Sequence, residues 1–107
     1  MTSDYFERGG VRFWRRNGWL GGGQVTWPFG TLRLTRNAVR VWAGPFARFD
    51  FAAADVVGLR PHRGLFCRGF RVEHRRPDGP AVLVFWSFTP RRLRAAAQAF
   101  GYRVWPD

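Results

Sequence analysis

From Gln24 onward, apolar and polar residues alternate in short runs. Residues 24–27 and 31–35 read as strand-like segments on either side of Pro28-Phe29-Gly30. In Thr31-Leu32-Arg33-Leu34-Thr35 the two leucines fall on one face with a period of two, the mark of a half-buried strand. Val39-Arg40-Val41 resumes the alternation after a turn at Arg36-Asn37, and Arg48-Phe49-Asp50-Phe51 resumes it beyond Gly44-Pro45. Residues 56–59 follow an alanine-rich corner. Residues 69–76 and 81–88 flank Pro77-Asp78-Gly79-Pro80, a hairpin turn in which Pro presets φ and Gly accepts a positive one. Closely spaced strands with such turns predict an antiparallel sandwich or barrel.

The period changes near the end. Thr89 is a good N-cap and Pro90 suits the first helical position. Phe88 and Leu93 are spaced for a hydrophobic staple. Leu93, Ala96, Ala97 and Phe100 recur at helical spacing as one apolar stripe, and Gly101 is the expected stop. The chain is therefore expected to be mainly β, about seven antiparallel strands followed by one amphipathic C-terminal helix.

Two hairpins define faces. With Arg36-Asn37 as the turn, Leu34 faces Val39 and Arg33 lies opposite Arg40, a like-charged pair that invites an anion or is simply screened by salt. With residues 77–80 as the second loop, Val72 pairs with Phe85 and His74 with Leu83. The opposite face then carries Arg71, Glu73 and Arg75 beside Val82, Val84 and Trp86. Such an apolar patch marks a partner or self interface unless the N-terminal segment or residues 102–106 cover it.

Residues 1–22 read as an arm ahead of a domain at 23–107, because Gly9-Gly10 and Gly21-Gly22-Gly23 punctuate it. The arm interleaves Phe13, Trp14 and Trp19 with Arg12, Arg15 and Arg16. That mixture suits the headgroup zone of an anionic membrane, stacking on single-stranded nucleic acid, or a segment folded back over the barrel.

Composition narrows the classes. The 107 residues include six Trp and eleven Phe, far too aromatic for a disordered tail, and their number fits one domain. The longest apolar run, residues 81–86, is short for a membrane-crossing helix. All 18 basic residues are Arg against 7 acids, a formal charge of +11. GC-rich coding accounts for Arg in place of Lys but not for the shortage of acids, so the field fits an acidic protein, an anionic lipid or a nucleic acid. Arg91, Arg92 and Arg94 cluster at the helix start, where backbone N–H groups favour anions, and are the expected anion site.

Little chemistry is legible. Cys67 stands alone, so neither an internal disulfide nor a cysteine-based metal site is expected. His62 and His74 are far apart, Ser3 and Ser87 are the only serines, and no nucleophile–base or paired-carboxylate spacing can be assembled. No enzyme activity, metal or cofactor is expected. No secretory pattern opens the chain, so the cytoplasm is the expected compartment, with peripheral membrane attachment as a variant.

The strand order and terminal helix, with particular residues, resemble the bacterial pleckstrin-homology-like domains, relatives of the PH and GRAM families. The carriers are Trp27-Pro28-Phe29-Gly30-Thr31-Leu32-Arg33-Leu34-Thr35 leading into Val39-Arg40-Val41, Phe51 with Asp55-Val56, Gly69-Phe70-Arg71-Val72-Glu73-His74, Val84-Phe85-Trp86, and Leu93 through Phe100-Gly101-Tyr102. The resemblance spans roughly residues 23–104 and implies a bent, partly open barrel of two sheets plugged at one end by the helix. The lipid-binding relatives carry a Lys-x-x-Arg-like pattern in the first hairpin loop, where Trp27-Pro28-Phe29-Gly30 stands here. What the resemblance implies is therefore a non-catalytic adaptor docking on a protein partner or on its own copy, with anionic lipid headgroups as a variant. A basic nucleic-acid-binding module is the alternative.

Overall fold

The computed structural model describes residues 4–15, 22–64 and 67–107. Seven strands precede one helix: β1 Tyr5–Trp14, β2 Gly22–Leu34, β3 Ala38–Ala43, β4 Ala47–Ala52, β5 Val56–Arg63, β6 Arg68–His74, β7 Val82–Ser87 and α1 Pro90–Ala99. A short 3-10 turn, Ala53–Asp55, joins β4 to β5. All the strand pairs are antiparallel, and their order across the sheet is β4-β3-β2-β1-β7-β6-β5. The chain is thus mostly β, a curled seven-stranded half-barrel with a C-terminal helix.

The segment expected as an arm supplies the middle of the sheet. β1 pairs with β2 on one side and β7 on the other. Its inward residues Val11 and Phe13 are buried, and Phe13 tilts against Phe49 at 5.1 Å between ring centroids. Period-two alternation runs through Phe6-Glu7-Arg8 and Arg12-Phe13-Trp14, but its inward positions include the small Gly9 and the polar Glu7, which hid the strand. A Cβ on Gly9 would lie 2.1 Å from the Trp86 carbonyl oxygen, so only glycine lets β1 approach β7 there. The two meanders, β1–β4 and β5–β7, consequently join into one continuous sheet through β1, where the resemblance implied two sheets.

Placing β1 moves the first hairpin. Its strands are β1 and β2, paired up to Trp14 and Gly22, so the connection lies ahead of Trp27–Gly30, and residues 16–21 are outside the described residues. Residues 24–34, expected within two strands, form the body of one, and Thr35 falls in the turn that follows. Gly9 pairs with Gly30 and Val11 with Val25, so residues 26–29 stand against Gly10 alone. This four-residue bulge includes the cis Trp27–Pro28 peptide and pushes Trp27 and Phe29 outward.

The β2–β3 turn falls where expected. Thr35 Oγ1 accepts from the amides of Asn37 and Ala38, and Arg33 faces Arg40 while Leu34 faces Val39. The β6–β7 hairpin is shifted by two: Phe70 pairs with Phe85 and Arg71 with Val84. An even shift preserves the faces, so Phe70, Val72, Leu83 and Phe85 still point into the core. The cause is His74, whose ring holds the loop. Its Nδ1 accepts from the Arg76 amide at 3.1 Å, which leaves the proton on Nε2, 2.7 Å from the Pro80 carbonyl.

Leu93 and Ala97 of α1 are fully buried in the core. Gly101, with φ +96°, ends the helix. The amide of Gly101 donates to the Gln98 carbonyl and that of Tyr102 to the Ala97 carbonyl, which is a Schellman closure. The start departs from expectation. Thr89 makes no side-chain cap bond, its Oγ1 lying 3.2 Å from the Tyr5 hydroxyl instead, and Phe88 is exposed rather than stapled to Leu93. The buried Glu7 carboxylate replaces both devices. It accepts from Tyr5 Oη at 2.7 Å, Ser87 Oγ at 2.7 Å and the Phe88 amide at 3.0 Å, while Ser87 Oγ accepts from the Thr89 amide. At the other end, Val104 bridges Leu59 and covers part of the β5 edge.

Candidate functional site: an aromatic groove and an arginine pocket

The outer face of the sheet carries a groove of about 800 Å³ where β1, β2, β5 and β7 meet. Its floor is Trp86. The indole lies over three glycines: a Cβ on Gly10, Gly64 or Gly69 would come within 2.8–3.2 Å of its ring atoms. His62 meets it edge-on at 5.3 Å. The lip is formed by Trp27, thrown out by the β2 bulge, and Phe88, displaced from its staple. These two stand 56% and 69% exposed and meet edge to face at 6.1 Å. Arg12, Arg63 and Cys67 complete the wall.

The expected interface residues separate here. Trp86 remains partly open as the groove floor, whereas Val84 is only 1% exposed. Val82 and Val84 pair with Trp14 and Arg12, so β1 covers them by joining the sheet, and long arginine stems shield apolar surface well. Arg71 lies on the other side of Val84, with its Nε 3.4 Å from Glu73 and an Nη2 donating to the Ala81 carbonyl. The expected membrane or nucleic-acid arm likewise divides. Phe13 faces the core, Arg12, Trp14 and Arg15 are exposed, and Arg16 and Trp19 lie outside the described residues.

The arginines expected to hold an anion behave differently from one another. Arg33 pairs with Asp4, and Arg40 Nε lies 3.9 Å from Asp50 Oδ1, so that face carries its own counter-charges. At the helix start, the amides of Phe88 and Thr89 are already donated inward and Pro90 has none, which removes much of the backbone convergence expected there. Arg94 donates to the Trp105 carbonyl at 2.9 Å and to Asp107 at 3.3 Å, with its guanidinium 5.6 Å from the Phe70 ring centre. Arg91 and Arg92 are exposed. Arg91 and Arg94 nevertheless line a second cavity, of about 340 Å³, together with Arg63, Arg68, His62, Phe70 and Asp107. Arg92 does not line it.

Sequence reasoning missed Trp27, Phe88, His62, Arg63 and Arg68. One signal was available: glycines at positions 10, 64 and 69 leave room for a large ring on one sheet face. It became readable only with the correct register.

Among the described residues, no helix is long and apolar enough to cross a membrane, and no group of three or more His, Cys, Asp or Glu is placed to hold a metal ion. No protein-family model matches the chain, and a search of curated proteins finds no relative. What stands is the class defined by the fold: a seven-stranded antiparallel half-barrel with a C-terminal helix, compatible with the pleckstrin-homology-like architecture.

Proposed function

We propose that the chain is a non-catalytic adaptor of the pleckstrin-homology-like kind, whose aromatic groove docks a segment of an acidic protein partner. The observation that carries this reading is the Trp27–Phe88 pair, two large exposed rings held at the lip of a groove floored by Trp86. Covering each ring is worth about 1–2 kcal/mol, given how much of it is exposed. Aromatics set in a pocket and rimmed by arginines are the usual anchors of protein interfaces. The charge of +11 favours an acidic partner and opposes a second copy, since two such faces repel.

The absence of catalysis is supported by how the reactive groups are used. Both His74 ring nitrogens are engaged with backbone, and Ser87 Oγ donates to a carboxylate that is itself held by three donors. Cys67 is exposed, with no hydrogen bond to His62 among the described residues.

The test is a photo-crosslinking side chain placed at Phe88 in cells of the source organism, with Trp27→Ala as the competing lesion. A protein adduct with an acidic segment, lost in the Trp27→Ala background, supports the reading. Adducts dominated by RNA or DNA would replace it with the nucleic-acid alternative, as would an oligonucleotide affinity that falls steeply with salt. An adduct between two copies would make the groove a self-interface.

A further inference from the structure

Three arginine pairs face each other directly across neighbouring strands. Arg33 and Arg40 do so between β2 and β3, Arg60 and Arg71 between β5 and β6, and Arg63 and Arg68 at the far end of the same β5–β6 ladder. Like charges in that arrangement repel at close range, and a protein ordinarily supplies an acid for them. The first pair has Asp4 and Asp50. The second shares Glu73, whose Oε1 lies 3.3 Å from Arg60 Nε and 3.4 Å from Arg71 Nε. Among the described residues, the third pair has no acid.

Nor is one left to supply it. Of the seven acids, Asp4, Asp50 and Glu73 serve the pairs above, Asp78 holds Arg76 and Asp107 holds Arg94. Glu7 is buried on Tyr5, Ser87 and Phe88, and Asp55 sits in the turn after β4. Arg63 and Arg68 instead border the 340 Å³ cavity, where Arg91 joins them from α1, also in no ion pair among the described residues. Arg94 lines the same cavity, tethered by the C-terminal segment. Arginines from β5, β6 and α1 therefore line one small volume, completed by Pro61, His62, Gly69, Phe70 and Pro90, with Asp107 at its edge engaged by Arg94.

We propose that this cavity binds a phosphate monoester dianion, the missing counter-ion of the Arg63/Arg68 pair. Three guanidinium groups without an acid partner match an ion of two negative charges and several acceptor oxygens, since each planar fork can donate two parallel hydrogen bonds. The proline and phenylalanine walls leave room for a small apolar or glycerol-like substituent on the ester. The site shares His62 and Arg63 with the aromatic groove but differs from it in what it recognises. It does not depend on the protein-docking reading.

The experiment uses the full chain, its Arg63→Gln/Arg68→Gln variant, and Arg33→Gln/Arg40→Gln as a control of equal charge loss. Glycerol 3-phosphate and inorganic phosphate are titrated at physiological salt with thermal melting and amide chemical shifts as readouts. Phosphatidylcholine vesicles bearing phosphatidic acid or phosphatidylglycerol are compared by co-sedimentation. Expected is a loss of phosphate affinity of about tenfold or more in the Arg63/Arg68 variant and little change in the control. Without phosphate, the Arg63/Arg68 variant should melt no lower than wild type, because a repulsion has been removed. Saturable binding of glycerol 3-phosphate identifies a soluble phosphomonoester; preference for phosphatidic acid over phosphatidylglycerol, without response to the soluble ester, identifies a lipid headgroup. Equal losses in both double variants, no response to any phosphomonoester, or a lower phosphate-free melting point in the Arg63/Arg68 variant would each overturn the assignment.

Discussion

Replacing Glu7 by alanine should remove a substantial part of the domain's stability. The carboxylate is 8% exposed and accepts three hydrogen bonds, from Tyr5 Oη, Ser87 Oγ and the Phe88 amide. Tyr5 keeps the Thr89 hydroxyl as a neighbour after the change, so the loss falls on the other two donors. A hydrogen bond to a charged group contributes about 1.5–3 kcal/mol, and a stranded buried donor loses most of that. Two such losses, less the relief of no longer burying a charge, give about 3 kcal/mol. A domain of this size has roughly 5–15 kcal/mol in total, and about 3 kcal/mol lowers the melting temperature by about 12–20 °C. Glu7→Gln is the discriminating partner. Its amide oxygen can still accept from both Ser87 and Phe88, so it should lose only about 1 kcal/mol. Urea titration followed by tryptophan fluorescence measures both variants, and amide exchange at Phe88 reports the local break. If Glu7→Ala loses less than about 1 kcal/mol, or Gln loses as much as Ala, the carboxylate is not what holds the helix start.

Alkaline stability should depend on Tyr5, whose hydroxyl is pushed up to about 12, chiefly by burial. Because the folded value exceeds the unfolded 10.0, stability is complete below about pH 10 and is lost as pH rises from 10 to 12. A rise of that size on a fully buried group is worth about 2.7 kcal/mol, and partial exposure reduces it to about 1 kcal/mol. Tyr5→Phe should therefore flatten the alkaline limb of a pH series of urea melts without abolishing it, since burial also raises Tyr102. Two glycines should respond differently to alanine. Gly9→Ala drives a Cβ into the Trp86 backbone oxygen and should lose more than about 3 kcal/mol, whereas Gly101→Ala meets nothing within 4 Å and should lose only about 1 kcal/mol from its positive φ. Equal losses in denaturant melts would contradict this distinction.

The strands after Gln24, the Arg33/Arg40 register and the helix with its Gly101 stop were legible because each rests on neighbouring residues: alternation, a short turn, a 3.6-residue stripe. Three features were not, and each depends on residues distant in sequence. β1 pairs with β7, some 70 positions away, and its inward glycine and glutamate make sense only against Trp86 and Ser87. The β6–β7 register moved because the His74 ring binds the loop, which no turn rule contains. The candidate site followed the same division. Trp86 was singled out correctly as lying on the outer face, but its neighbours Trp27 and His62 arrive from a bulge and from another hairpin. The arginines were visible as a total; which of them lack an acid is a property of the packed sheet.

The place of β1 also governs when the sheet can close during synthesis. β1 emerges from the ribosome before every other strand, and β2, β3 and β4 can zip onto it in order as they follow. Its second neighbour, β7, is the last strand made, after β5 and β6 have been added. Until then one long side of β1 presents unpaired amides and carbonyls to the cell, with Val11 and Phe13 uncovered on that flank. The nascent chain thus carries a sticky, half-built sheet for most of its translation, and contacts of such long span fold slowly. Arg8, Arg12 and Arg15 along and just beyond this strand would then act as gatekeepers, their charge keeping two unfinished copies apart until β7 arrives.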